Sequence, residues 1–179
     1  ISCIQGPDDD VMLPKGSKKS DWEVELGVVI GRTARHVAQK DALAHVAGYC
    51  VVNDVSEREF QIERGGTWDK GKGHDGFGPI GPWLVTRDEI PDPSKLTLQT
   101  RLNGTVVQHT TTDLLITGIP ELITYISTIC PLVPGDVIVT GTPGGVGLKR
   151  TPPLWMKPGD TVEVEISGIG VLQNSVIAE

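Results

Sequence analysis

Residues 22–30 read WEVELGVVI and residues 48–54 read GYCVVND. Successive side chains of a strand point to opposite faces. In the first stretch Trp22, Val24, Leu26, Val28 and Ile30 therefore share one face, and Glu23, Glu25, Gly27 and Val29 share the other. A run this apolar reads as a strand buried on both sides. The second stretch reads as another buried strand, ending at Asp54. Outward from this pair, Trp83–Thr86 and Leu96–Leu102 have strand character, and Asn103-Gly104 is a strong hairpin turn leading into Thr105–Gln108. Pro134-Gly135-Asp136 and Pro158-Gly159-Asp160 suit type II turns ahead of VIVTG and TVEVEI. Helices are few: Asp41–Ala47, a short one starting near Glu57 under a Ser56/Glu59 capping box, and Pro120–Ile129 with Pro131 past its end. Residues 1–20 read as loop with a short extended piece, and residues 65–82 as a glycine-rich loop. The expected architecture is mostly β (α+β), a mixed sheet rolled into a sandwich or barrel, with residues 1–179 forming a single domain.

The 179 residues suffice for one hydrophobic core, and 38% hydrophobic with 22% charged residues is the balance of an ordinary globular protein. The net charge of −7 argues against a nucleic-acid or anionic-membrane partner, which needs a basic footprint. A small anionic substrate stays compatible, since a bound cation inverts the local field. Cys3, Cys50 and Cys130 form neither a disulfide framework nor a zinc motif, and free thiols fit a cytoplasmic location. No apolar run reaches the roughly 18–20 residues of a membrane span. Ile1 is not an initiator Met, so the chain is expected to continue upstream.

Glu23 and Glu25 stand at i and i+2 on one strand face, within an apolar run. Two buried like charges are unfavourable unless a cation neutralises them, and a divalent ion would do so. The alternative is a solvated strand face. Glu163 and Glu165 repeat the E-x-E pattern within TVEVEI, where clean alternation marks the Glu face as exposed. Asp54 reads equally as a helix cap or as a third hard oxygen ligand suited to Mg²⁺ or Mn²⁺. Arg58 and Gln61, four and seven residues on, fall along one helix face with it, as substrate-facing groups or as a solvated surface. Lys72 in KGKG is either an exposed loop lysine or a counter-charge for an anionic substrate or enolate. Thr140–Gly147, TGTPGGVG, offers amides and a Thr hydroxyl to a carboxylate, but lacks the lysine of a phosphate-binding loop. His74 and His109 are isolated, and no G-x-S-x-G supports a serine hydrolase.

Five ordered segments, DWEVELGVVIG, GYCVVNDVSEREFQ, WDKGKGHDGFGPIGPWLV, PGDVIVTGTPGGVG and KPGDTVEVEISGIG, resemble the fumarylacetoacetate hydrolase family in its shorter bacterial branch of acylpyruvate and 2,4-dioxo-acid hydrolases. The resemblance implies a mixed β-roll, usually a homodimer, with Glu23, Glu25 and Asp54 as ligands of Mg²⁺ or Mn²⁺. It places Arg58, Gln61 and Thr142 against a 2-oxo-acid substrate, and makes Lys72 both a substrate-binding and a catalytic residue. The family's His–Glu pair on a mobile lid would fall upstream of Ile1, and no residue here takes that role. The implied reaction is hydrolytic C–C cleavage of an acylpyruvate or a 3-deoxy-2,4-dioxo sugar acid, releasing pyruvate. Oxaloacetate decarboxylation, dioxo-acid isomerisation and lyase chemistry on the same scaffold are alternatives, as is non-catalytic binding of 2-oxo acids.

Overall fold

The computed structural model describes residues 2–179. Its strands in chain order are β1 (Ile4–Gln5), β2 (Val11–Leu13), β3 (Ser20–Asp21), β4 (Val24–Ile30), β5 (Val46–Asn53) and β6 (Ser56–Glu57). Then follow β7 (Gly78–Thr86), β8 (Thr97–Leu102), β9 (Thr105–Thr111), β10 (Val137–Val139), β11 (Thr161–Ile166) and β12 (Gly170–Ala178). The α-helices are a single turn, α1 (Asp69–Lys72), and α2 (Ile119–Ile129).

One sheet runs β1-β7-β5-β4-β10 and the other β2-β12-β11-β8-β9. Pairing is antiparallel except for β1 with β7 and β12 with β2, so both sheets are mixed, as expected. Strands β4 and β5 face β8, β11 and β12. Val24, Leu26, Val28 and Ile30 meet Val162, Val164, Ile166 and Leu172 in one continuous apolar core. Each such side chain contributes about 1.5–3 kcal/mol through burial, which fixes the register and hence which residues reach the opposite face of β4. On β11 the alternation is clean: Val162, Val164 and Ile166 are buried while Glu163 and Glu165 are half-exposed. Helix α2, with Pro120 in its first turn, buries Ile119 and Ile123 and packs on the short 3-10 helix Gln39–His45.

Three local expectations are corrected. The capping box does not form, because Ser56 and Glu57 pair with Asp21 and Ser20 as a two-stranded ribbon. The Ser56 hydroxyl donates instead to the Asp54 carbonyl, and the following turn (Glu59–Glu63, wound as a π-helix) begins only after Arg58. Glu57 caps it by accepting from the Phe60 amide at 2.7 Å. The segment 65–82 is not all loop: it carries α1 and the start of β7. The helix expected at Asp41–Ala47 stops at His45, since Val46 and Ala47 already pair in β5.

Gly48 on β5 leaves no room for a side chain, because a Cβ there would stand 2.2 Å from the Val85 carbonyl oxygen of β7. Gly48→Ala is expected to cost about 1–3 kcal/mol through overpacking. A melting temperature lowered by roughly 2–12 °C in a thermal scan is the corresponding reading.

Candidate metal centre and substrate cavity

The β4–β5 register pairs Val24 with Asn53 and Glu25 with Val52. The ladder then passes into the β3–β6 ribbon, and at that junction the Asp54 amide donates to the Glu23 carbonyl at 2.9 Å. The Asn53 side chain accepts from the Glu23 amide at 3.1 Å. Glu23, Glu25 and Asp54 thereby each offer a carboxylate oxygen, all within 4.8 Å of one another. Glu23 and Glu25 are buried, and Asp54 is nearly so. The solvated-face and helix-cap readings of these three acids do not describe the fold.

Two cations enter the cluster. The Lys72 ammonium bridges Glu23 Oε2 at 2.8 Å and Asp54 Oδ2. It is carried by α1, whose amides at Gly71 and Lys72 donate to the Trp68 carbonyl. Gly71 lets α1 press on the preceding turn: a Cβ there would lie 2.6 Å from Gln61 Cβ and 2.7 Å from the Glu57 carbonyl oxygen. Arg58, 6% exposed, donates from Nη2 to Glu23 Oε1 and from Nε to Asp21 Oδ1, both at 2.6 Å, and from Nη1 to Gln61 Oε1 at 3.0 Å. These bonds leave one N–H on each terminal nitrogen for a ligand. Asp21 is fully buried, and its second oxygen accepts from the Leu148 amide at 2.8 Å.

The loop after β10 reaches the cluster from the other side. The Gly141 amide donates to Glu25 Oε2 at 2.6 Å. Thr142 Oγ1 accepts from Gln108 Nε2 at 2.9 Å, which leaves the Thr142 hydroxyl proton free to donate. Gln108 Nε2 also donates to the Pro143 carbonyl, while Gln108 Oε1 accepts from the Val24 amide and the Thr100 hydroxyl. One buried amide thus ties the start of β4, between the two glutamates, to the loop bearing Thr142.

Asp21 and Gln108 are missing from the sequence reading. Asp21 was within reach of it, because DWEVE keeps Asp21, Glu23 and Glu25 at one parity. Gln108 gave no signal beyond a polar residue beside Val106 and Val107. His74 packs edge-on between Phe60 and Phe77, with rings about 5 Å apart, and takes no part in the cluster.

Burial dominates the electrostatics. It pushes Glu25 up to about 8, helped by the neighbouring Asp54 and Glu23 charges and opposed by the Gly141 amide and Lys72. It pushes Asp21 up to about 6 against the pull of Arg58, and raises Asp54 against Lys72. Burial would lower the Lys72 ammonium, but Glu23 and Asp54 outweigh it and hold it above its ordinary value. Unit charges about 4–5 Å apart repel by about 3–4 kcal/mol at an effective dielectric near 20. Three such pairs rival the roughly 5–15 kcal/mol net stability of a domain. When all are ionised, the four carboxylates of Asp21, Glu23, Glu25 and Asp54 face, among the described residues, the charges of Arg58 and Lys72, an excess of two negative charges. One divalent cation cancels that excess, and an all-oxygen donor set fits Mg²⁺ or Mn²⁺.

A cavity of about 380 Å³ opens on the cluster. Glu23, Arg58, Gln61 and Lys72 line it together with Ile62, Gly66, Trp68 and Leu148. Thr142 lies outside that cavity. With Gly141, whose amide holds Glu25, it lines a second cavity, free of ionisable side chains, beside Leu98 and Leu115.

A family model described as the C-terminal part of fumarylacetoacetate (FAA) hydrolase matches residues 1–177. A solved fumarylacetoacetate hydrolase from psychrophilic Exiguobacterium antarcticum superposes with a TM-score of 0.96 at 41% identity, over 99% of this chain and 64% of that one. A 5-carboxymethyl-2-hydroxymuconate delta-isomerase from Mycobacterium smegmatis superposes at 0.91 with 41% identity, over 99% and 66%. A curated relative from Burkholderia ambifaria, which carries a provisional hydrolase name, is 58% identical over 170 residues, covering 94% of this chain and 60% of the relative. The chain spans about 60% of the length of the curated relatives it matches. Sequence, fold and acidic cluster agree, and the chain belongs to the fumarylacetoacetate hydrolase family.

Proposed function

We propose that this chain carries the catalytic centre of a divalent-metal-dependent hydrolase that cleaves a C–C bond in 2,4-dioxo acids and releases pyruvate. The observation that supports it most is the convergence of Glu23, Glu25 and Asp54 within 4.8 Å, with excess negative charge at the bottom of an open cavity. An Mg²⁺ or Mn²⁺ bound by these three residues would supply Lewis-acid stabilisation of the negative charge developing on the substrate's 2-oxo oxygen. The chain's own groups do the rest. The Thr142 hydroxyl, oriented by Gln108, donates to the substrate carboxylate. Lys72 and the spare N–H groups of Arg58 meet the charge that builds as the C3–C4 bond breaks. Gln61, bonded through its oxygen to Arg58, keeps its own N–H₂ group for the substrate.

A second reading rests on the solved relatives, of which one from M. smegmatis and one from M. marinum carry isomerase names. An isomerase would use the same charge-stabilising groups and release no pyruvate. Coupled measurement of pyruvate from an acylpyruvate, a 3-deoxy-2,4-dioxo sugar acid and oxaloacetate separates hydrolysis, isomerisation and decarboxylation. Metal-dependent pyruvate release from the first two is the expected outcome, and full activity in metal-stripped protein would refute the proposal. The cytoplasmic location and the homodimer expected from the sequence belong to the same proposal. No described helix is long and apolar enough to cross a membrane.

Lys72 holds two of the three ligand carboxylates, so it competes with the metal for them. Lys72→Met is expected to bind Mn²⁺ at least as tightly as the parent while turnover falls about 10²–10³-fold. Calorimetry and steady-state kinetics on the same sample check both halves. Glu25→Ala should lose metal binding with its circular dichroism spectrum unchanged.

Glu25, near 8 without metal, must give up its proton to become a ligand. The folded-state pKa lies above the unfolded one, so protonated Glu25 stabilises the metal-stripped fold at low pH. That contribution fades as pH rises through about 8. Metal affinity should rise with pH up to about 8 and then level off, and the melting-temperature gain on adding Mg²⁺ should grow between pH 6 and 9. Calorimetry at pH 7 in buffers of different ionisation enthalpy should show proton release on binding, absent in Glu25→Gln.

A further inference from the structure

The cavity on the acidic cluster is lined by ionisable and apolar side chains together, and the largest of the apolar ones is an exposed indole. Trp68 is 74% exposed, an unusual state for so large an aromatic side chain, and Ile62 is 53% exposed. Both line the cavity that holds Glu23, Arg58, Gln61 and Lys72. The Trp68 carbonyl accepts the Gly71 and Lys72 amides of α1, so indole and ammonium ride on the same turn. The ring centre stands 5.9 Å from Lys72 Nζ. That is about four to five covalent bonds of an extended chain, at roughly 3.8 Å per three bonds.

We propose that Trp68, with Ile62 and Leu148, is the recognition wall for the distal carbons of the substrate and selects 2-oxo acids with an uncharged tail. The inference rests on the function proposed above and deepens it by naming the substrate class. A 2-oxo acid held by its carboxylate at Thr142 and by its oxo group at the cluster continues past Lys72, and the carbons beyond C3 come against the indole face. Beyond Glu23, Arg58 and Lys72, the residues lining this cavity are uncharged. Arg58 is held by Asp21 and Glu23, which keep its guanidinium turned toward the acids. A terminal carboxylate would lose hydration there without a partner, whereas C–H groups gain contact with the ring.

The test uses three 2-oxo acids that lack the 4-oxo group and so bind without being cleaved: pyruvate, 2-oxohexanoate and 2-oxohexanedioate. Affinities are measured by calorimetry on the full chain with saturating Mn²⁺. The chain should bind 2-oxohexanoate more tightly than either of the others. Trp68→Ala should weaken 2-oxohexanoate about tenfold, the equivalent of roughly two buried methylenes. It should leave pyruvate within twofold, and Trp68→Phe should keep most of the affinity. In the parent chain 2-oxohexanoate should also quench tryptophan fluorescence, and Trp68→Phe should lose that quench. Equal weakening of pyruvate and 2-oxohexanoate, or a parent preference for 2-oxohexanedioate, overturns the inference. So does an unaffected Trp68→Ala alongside a weakened Leu115→Ala, which would put the tail in the cavity beside Thr142. Failure of pyruvate to bind in a Mn²⁺- and Glu25-dependent manner would strike the proposed function itself, and is read separately from the tail comparison.

Discussion

Negative charge packed into a space too small for it is the constraint from which the rest of this molecule follows. The apolar face of β4 belongs to the core, and the strand's parity then commits Glu23 and Glu25 to the opposite side. Antiparallel pairing with β5 brings Asp54 to the same spot. Such a cluster survives folding only with compensation, and the surrounding structure supplies it piece by piece. Lys72 arrives on a helical turn, Arg58 arrives with Asp21 as its own anchor, and the Gly141 amide comes from a third segment. Several kcal/mol of like-charge repulsion against a stability of order ten means that none of these is ornamental.

Much of this was legible in the chain because strand chemistry is local. WEVELGVVI reveals its two faces by parity alone, and Asn103-Gly104 reveals its hairpin by the positive φ that both residues adopt. The pairs Pro134-Gly135 and Pro158-Gly159 mark their turns, each with a glycine at φ +95 and an Asp carboxylate accepting the amide three residues earlier. Glu23 and Glu25 could be named because burial logic and family likeness converged on them, while Asp54 and Lys72 rested on the likeness. What misled was competition between local and long-range pairing. Ser56 and Glu59 have the spacing of a cap, yet a strand from 35 residues earlier claims Ser56 first.

Gln108 was invisible for a different reason. Nothing in VVQHTT says that a glutamine will be 2% exposed, and its partners lie on β4, on β8 and in the loop after β10. Its value comes from satisfying donors and acceptors that only tertiary structure assembles. Through it the second sheet, which contributes no ligand, holds the first sheet's glutamates and the Thr142 loop in one frame. Thr142 itself appears across the cluster from the Lys72 cavity, which the sequence order alone could not indicate.

The contact at Gly71 recasts what a glycine-rich stretch can mean. The residue sits where two short turns touch, and its missing side chain serves as clearance, unlike Gly66, which has a left-handed φ and empty space around it. Neighbouring glycines in GGTWDKGKG therefore answer to different demands, backbone handedness at one and sheer thickness at the other. A single methyl group added at the thin point would prise the lysine-bearing turn away from the acids it spans. The chemistry would be detuned without altering any group that takes part in it.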